Sequence, residues 1–198
     1  MDQFEIKQYG QLEERQKEKA IEIFIEGFKH LMTFSKDEVE LKQLFSIGLN
    51  PSLIYVCIEN DKVLGIMGIA TNHARPIRVD LEKCIHIYGK LKGTILCKQM
   101  NVIFQSQVVK GDHDLYIDVL ATTKEARGRG IATKLIEYAF ALENYEDCYI
   151  EVLSKNVNAK RLYERMGFEA YKKSKISFVA LLGQGYPVKM RRCKTNCP

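Results

Sequence analysis

Residues 115–122 read Leu115-Tyr116-Ile117-Asp118-Val119-Leu120-Ala121-Thr122, and five residues on the chain runs Arg127-Gly128-Arg129-Gly130-Ile131-Ala132-Thr133. The first stretch is β-branched and apolar, and reads as a strand. From Gly130 to Leu142 the apolar residues Ile131, Leu135, Tyr138, Ala139 and Leu142 share one side of a helix. A second apolar run, Cys148 to Leu153, follows as a strand, then a short helix over Asn158 to Met166 that ends at Gly167. Strand, helix and strand in that order form a βαβ unit, which makes the two strands parallel within a mixed α/β sheet.

Upstream, Phe4 to Tyr9 alternates as an opening strand. Leu12 to Met32 is helical, with Ile21, Phe24, Ile25, Phe28, Leu31 and Met32 at helical spacing. Ser35-Lys36-Asp37-Glu38 has the form of a capping box, starting a second helix that carries Val39, Leu41, Leu44 and Phe45. Leu53 to Glu59 and Val63 to Ala70 make a hairpin around Asn60-Asp61-Lys62. Downstream, Phe168 to Lys172 and Val188 to Arg192 close the sheet. The basic run Lys189, Arg191, Arg192 and Lys194 reads as a solvated strand edge. Residues 71–114 are harder: one or two helices over Asp80 to Gln105, interrupted by Gly89 and Gly93, in an insertion or flap.

Composition fits one globular domain. The 198 residues are 46% hydrophobic and 28% charged, with 30 basic against 25 acidic residues for a net charge of +5. That is enough apolar material to offset chain entropy and fill a core without staples. The longest apolar runs fall well short of the roughly 20 residues of a membrane span. The start, Met1-Asp2-Gln3-Phe4-Glu5, lacks the basic and apolar regions of a signal peptide, so a cytoplasmic protein is expected. In that reducing compartment the six cysteines are packing residues or surface thiols. Cys193 and Cys197 lack a second ligand pair, and the four histidines have no ligand spacing, so no metal is expected. A charge of +5 alone suits a polyphosphate ligand as well as a nucleic acid. No aromatic–basic interleaving supports nucleic acid, and none is expected as a partner.

The glycine turn before a helix is where chemistry enters. Glycines let backbone approach a ligand, and the helix start offers free N–H groups and a positive dipole end to an anion. A P-loop would need G-x₄-G-K-[ST], which is absent. A dinucleotide fold would need a third glycine where this chain has Thr133. The pattern left is [Q/R]-x-x-G-x-[G/A], met by Arg127, Gly130 and Ala132.

That pattern resembles the acyl-CoA loop of the GNAT acetyltransferase superfamily. A second motif strengthens the resemblance: Asn156-x-x-Ala159-x-x-x-Tyr163-x-x-x-Gly167-Phe168, again after a strand and on a helix, with Glu151 five residues before Asn156. The likeness covers residues 112–172. It departs at Thr122, where the family strand ends apolar, and at Lys124, where proline is frequent.

The resemblance implies a fold: a mixed, mostly antiparallel sheet with a splayed parallel strand pair, flanked by helices, in a single domain over 1–198 with an insertion or flap at about 71–114. It implies an N-acetyltransferase that passes an acetyl group from acetyl-CoA to a primary amine by direct attack in a ternary complex, with no metal. Leu120, Ala121 and Thr122 would pair with the pantetheine arm. Residues Arg127, Gly128, Arg129, Gly130, Ile131, Ala132 and Thr133 would hold the pyrophosphate, with Asn156 and Tyr163 also on the cofactor. Tyr163 would donate to the departing thiolate and Glu151 would be the base, with Asp118 the fallback. The acceptor stays open between a small amine, a lysine and a peptide N-terminus, and a homodimer is compatible with the sequence. A non-catalytic acyl-CoA sensor and a transferase of longer acyl groups are the alternatives.

Overall fold

The computed structural model describes residues 4–142, 145–173, 183 and 185–193. The N-terminal half opens with β1 (Glu5–Gln8), α1 (Glu14–Phe28) and α2 (Glu38–Phe45), followed by β2 (Ile54–Glu59) and β3 (Lys62–Ala70). The segment expected as an insertion holds α3 (Leu81–Tyr88) and α4 (Lys90–Phe104). Then come β4 (Asp114–Thr122), α5 (Ile131–Ala141), β5 (Asp147–Leu153), α6 (Val157–Arg165), β6 (Glu169–Lys173) and β7 (Pro187–Cys193).

Local chemistry accounts for most boundaries. The β2–β3 turn is Asn60-Asp61, both at positive φ (46° and 65°), the conformation that matches hairpin twist. The capping residue of α2 is Asp37, whose carboxylate accepts from Val39 N–H at 2.8 Å, rather than the Ser35 read from the sequence. Ser35 Oγ instead accepts from Asp37 N–H at 3.1 Å, one turn earlier. Gly89, at φ +79°, ends α3 and begins α4, so two helices replace one periodic run. A Cβ at Gly93 would strike the Cys84 carbonyl, which is how closely α4 rides on α3.

The strands form one sheet in the order β1-β2-β3-β4-β5-β7-β6. Among the described strands only β4 and β5 pair in parallel; every other neighbour is antiparallel. β7 therefore lies between β5 and β6, and its basic residues sit inside the sheet, not along an edge. Hairpin connectivity from β6 to β7 and cross-strand pairing with β5 put it there, and neither is visible in its own composition. Lys194 lies outside the described residues.

Helices cover the sheet on both sides, so β2 and β3 read as nearly unbroken apolar runs. On one side α1 and α2 bring Phe24, Leu41, Leu44 and Phe45 onto Ile54, Val56, Ile66 and Val119, with Phe24 and Phe45 edge to face at 4.9 Å. Cys84, Leu96, Cys97 and Met100 from α3 and α4 join this core. On the other side Ile131, Leu135, Ile136 and Ala139 of α5 pack with Met67, Ile69, Leu115, Ile117, Ile150 and Val152.

Candidate acyl-CoA cleft

The parallel pair stops early. β4 and β5 are in register from Asp114↔Asp147 to Ile117↔Ile150 and no further. Yet β4 stays paired to β3 as far as Thr122, and β5 to β7 as far as Leu153. Two strands that remain bound to their outer neighbours while parting from each other leave a V-shaped gap. It begins at Asp118 and Glu151. Asp118 is also the extra residue of a bulge: Ile117 faces Ile69 and Val119 faces Gly68, with nothing opposite Asp118. Bulges add twist and bend a strand away from its neighbour, which accounts for the parting at this residue.

The backbone inside the gap is unspent. Thr123 N–H donates to the Leu64 carbonyl of β3 at 2.9 Å. Strand alternation then turns the N–H and C=O groups of Leu120 and Thr122 toward the gap and those of Ala121 toward β3. Among Leu120, Ala121 and Thr122, Ala121 is thus the one whose backbone the fold keeps from the gap. Its side chain is needed elsewhere: a Cβ on Gly27 of α1 would lie 2.8 Å from the Ala121 Cβ.

At the open end of the gap the chain turns through residues 123–130 into α5. Gly128 and Gly130 stand at φ +78° and +82°, and a Cβ at either would meet nothing within 4 Å. The turn therefore faces empty space, with room for a ligand against its backbone. Gly130 caps α5 without a side-chain hydrogen bond. The N–H groups of Gly128, Gly130, Ile131, Ala132 and Thr133 meet no acceptor among the described residues. Five free donors at a helix start form an anion site of the size a pyrophosphate needs. The two arginines part company here. Arg129 donates to Glu59 at 2.6 Å and lies over the Phe4 ring, tying the turn to β2. Arg127 is exposed and has no ion-pair partner among the described residues, so its charge is available.

Tyr163 comes from the α5 side of the sheet. It is buried on α6, edge to face with Phe168 at 6.1 Å, and burial alone pushes its hydroxyl up to about 12. Asn156 caps that helix, its side chain accepting from Ala159 N–H at 3.2 Å, so its carbonyl oxygen is committed to the fold.

The carboxylates lie on the opposite face. Along β5, Cys148, Ile150 and Val152 point into the α5 core, leaving Tyr149 and Glu151 on the other side. Burial raises the Glu151 carboxyl above the usual range; Lys189, its cross-strand neighbour, pulls it down, and Asp118 pushes it up again. Asp118 is raised by burial, with Arg75 opposing. Arg75 grips its Oδ2 with Nε at 3.2 Å and Nη2 at 2.8 Å. Tyr116, raised by burial and then by Glu151 and Asp118, completes the cluster. Tyr163 thus belongs to the core on one face of the sheet, and Glu151 and Asp118 to the other face. A small cavity of about 120 Å³ lies elsewhere, at the starts of β4 and β5 around Leu115, Cys148 and Arg192.

Sequence reasoning did not find Arg75, Lys189 or Glu59. Arg75 sits in a connection without periodicity, Lys189 looked like one of several solvated lysines, and Glu59 ends an ordinary strand. Their roles depend on partners 43, 38 and 70 positions away, respectively Asp118, Glu151 and Arg129. Among the described residues no cluster of three or more His, Cys, Asp or Glu is placed to hold a metal ion.

A sheet parted at one parallel pair, with a bare helix start at its mouth, is the arrangement that the sequence resemblance leads one to expect. The chain belongs to the acetyltransferase (GNAT) family, whose model matches residues 17–168. N-alpha-acetyltransferase 30 of Schizosaccharomyces pombe (strain 972) is 34% identical over 84 residues, 41% of this chain and 52% of that protein. The match thus spans about half the length of that relative. A GCN5-related N-acetyltransferase from Kribbella flavida shares the fold at a TM-score of 0.60 and 17% identity, over 96% of this chain and 97% of its own. A chain of the NatC complex bound to Gag peptide and CoA does so at 0.53 and 21%, over 98% and 99%.

Proposed function

We propose that this chain is an N-acetyltransferase that moves an acetyl group from acetyl-CoA to a primary amine, as one domain over 1–198 acting in the cytoplasm. The observation that carries the reading is the end of β4–β5 pairing at Ile117 and Ile150, beside five unpaired N–H groups at the start of α5. An extended amide-bearing arm fits the gap as an added strand would, with Leu120 and Thr122 as its backbone partners. The diphosphate falls on the turn at Gly128 to Thr133, with Arg127 nearby. Among the described residues no helix is long and apolar enough to cross a membrane, in keeping with a reaction in aqueous solution.

The chemistry needs no covalent enzyme intermediate. The amine nitrogen attacks the thioester carbon, the C–N bond forms and the C–S bond breaks. Glu151 takes the proton the amine must lose, directly or through water; its raised pKa makes it a better base than an exposed carboxylate. The Leu120 N–H meets the charge that develops on the carbonyl oxygen. Tyr163 donates a hydrogen bond to the departing sulfur. Of the acceptors open to the sequence, a peptide N-terminus is favoured by the relative from S. pombe, whose name states that activity.

The test is thiol release from acetyl-CoA with a panel of peptides, free amino acids and polyamines. Turnover with peptide α-amines is expected, at a rate above that with lysine side chains. Tight CoA binding with no turnover of any amine would instead make the protein a sensor. Faster turnover of longer acyl-CoA donors would change the donor assignment.

A further inference from the structure

Arg75 lies in the connection between β3 and α3, outside both motifs, and its guanidinium is almost fully committed. Nε and Nη2 both reach Asp118 Oδ2, and Nη1 donates to the Ser106 carbonyl just past the end of α4. The side chains of Arg75 and Asp118 are 8% and 15% exposed. Asp118 is the bulged residue at which β4 leaves β5, and Glu151 is the residue at which β5 leaves β4. The pair therefore stands at the apex of the gap, beside the base.

We propose that Arg75 is a positioning residue for the acceptor side of the cleft: it holds Asp118 as a paired carboxylate, spans from there to the end of α4, and so leaves Glu151 as the group that takes the amine's proton. The inference rests on the acetyltransferase reading and on Glu151 as base. Without Arg75 the Asp118 charge would act uncompensated on Glu151, and the ionisation of the base would depend on that of its neighbour. With Arg75 in place, Asp118 is charge-compensated. Glu151 is then set by burial, by Lys189 from β7 and by the residual field of Asp118. The other titratable or charged groups on this face are Asp114 and Tyr116 of β4, Asp147 and Tyr149 of β5, Glu169, Tyr171 and Lys172 of β6 and Arg191 of β7, the last held by Asp147 at 2.7 Å.

The signs of the charge changes give the test. Asp118→Asn removes an anion and leaves Arg75 unpaired, so ionisation of Glu151 moves to lower pH, by about one unit. Arg75→Gln frees Asp118 to compete for the proton, so the transition moves to higher pH and splits into two steps. The double variant Arg75→Gln/Asp118→Asn replaces an ion pair by a neutral pair and returns a single transition near the wild-type position. The readout is the carboxyl ¹³C shift of Glu151 against pH, taken without substrate, alongside the acidic limb of kcat/KM and a thermal melt. Should Arg75→Gln not fold, the Asp118→Asn shift and its reversal in the double variant decide the matter. A Glu151 titration identical in wild type, Asp118→Asn and the double variant overturns the proposal and leaves Arg75 a structural pin. Failure of the underlying reading looks different: the kcat/KM limb survives Glu151→Gln, or no amine is acetylated, while the carboxyl titration still responds to Arg75.

Discussion

Tyr163 illustrates how burial sets a role. A tyrosine near 10 would give its proton to a thiolate near 8.5 at modest cost, but at about 12 that transfer is uphill by roughly 5 kcal/mol. In the proposed reaction Tyr163 would therefore serve the leaving sulfur as a hydrogen-bond donor, a contact that strengthens only as charge develops. Tyr163→Phe should lower kcat by about 10²–10³ with the KM for acetyl-CoA little changed, because loss of one donor to developing charge appears in kcat. Wild-type turnover in that variant would leave Tyr163 a packing residue. Glu151 works in the other direction. As base it must be ionised, so kcat/KM falls as pH drops through its raised pKa. Glu151→Gln should reduce the rate and abolish that acidic limb; a limb lost only in Asp118→Asn would move the role to Asp118. The motif spacing points to Tyr163 and Glu151 as candidates. It could not tell that Tyr163 is too poor an acid to release its proton, because that depends on what α6 packs against.

Among the elements, the turn into α5 concentrates the argument. Gly130 is required twice, once for its φ of +82° and once for the open space in front of it. Val at this position strains the backbone by about 1–2 kcal/mol and fills the space where the proposed diphosphate would lie. Gly130→Val should weaken CoA binding at least tenfold by calorimetry while the far-ultraviolet circular dichroism stays unchanged. Undiminished affinity would place the diphosphate elsewhere. The helices α3 and α4 present the opposite situation. The sequence suggested an insertion or flap, with its periodicity broken at Gly89 and Gly93. In the fold those glycines are the turn and the contact of a helical hairpin, and its apolar side seals the α1–α2 core. Helical periodicity marks which residues are apolar, but not which neighbour they bury against.

Taken as a whole, the molecule carries a pH dependence that extends beyond the candidate site. Burial pushes Cys148 and Tyr163 up to about 12 and Cys57 up to about 11. The unfolded chain releases these protons at about 8.5 for cysteine and 10 for tyrosine. Between those values and the folded ones the native state binds more protons, so stability falls as pH rises through that window. For each of the two most buried groups the slope approaches about 1.4 kcal/mol per pH unit. Melting temperature should drop steeply from about pH 9 upward, and Cys148→Ala should flatten part of that drop. An alkaline profile indifferent to Cys148→Ala would mean the thiol is not held from solvent as this packing requires.

The division between sequence and structure follows from the range of the interactions involved. The succession of strands and helices from Leu115 on, the glycine turn, the α5 stripe, the hairpin at Asn60-Asp61 and the Asn156–Tyr163 motif are local patterns. Propensity, φ preference and helical or strand period act within a few residues, and one sequence suffices to read them. The bulge at Asp118, the parting of β4 from β5, the placement of β7 between β5 and β6, and the Arg75–Asp118 pair bring together residues dozens of positions apart. Each was settled by which surfaces the chain could bury at once, and by where a carboxylate taken out of water could find its counter-charge.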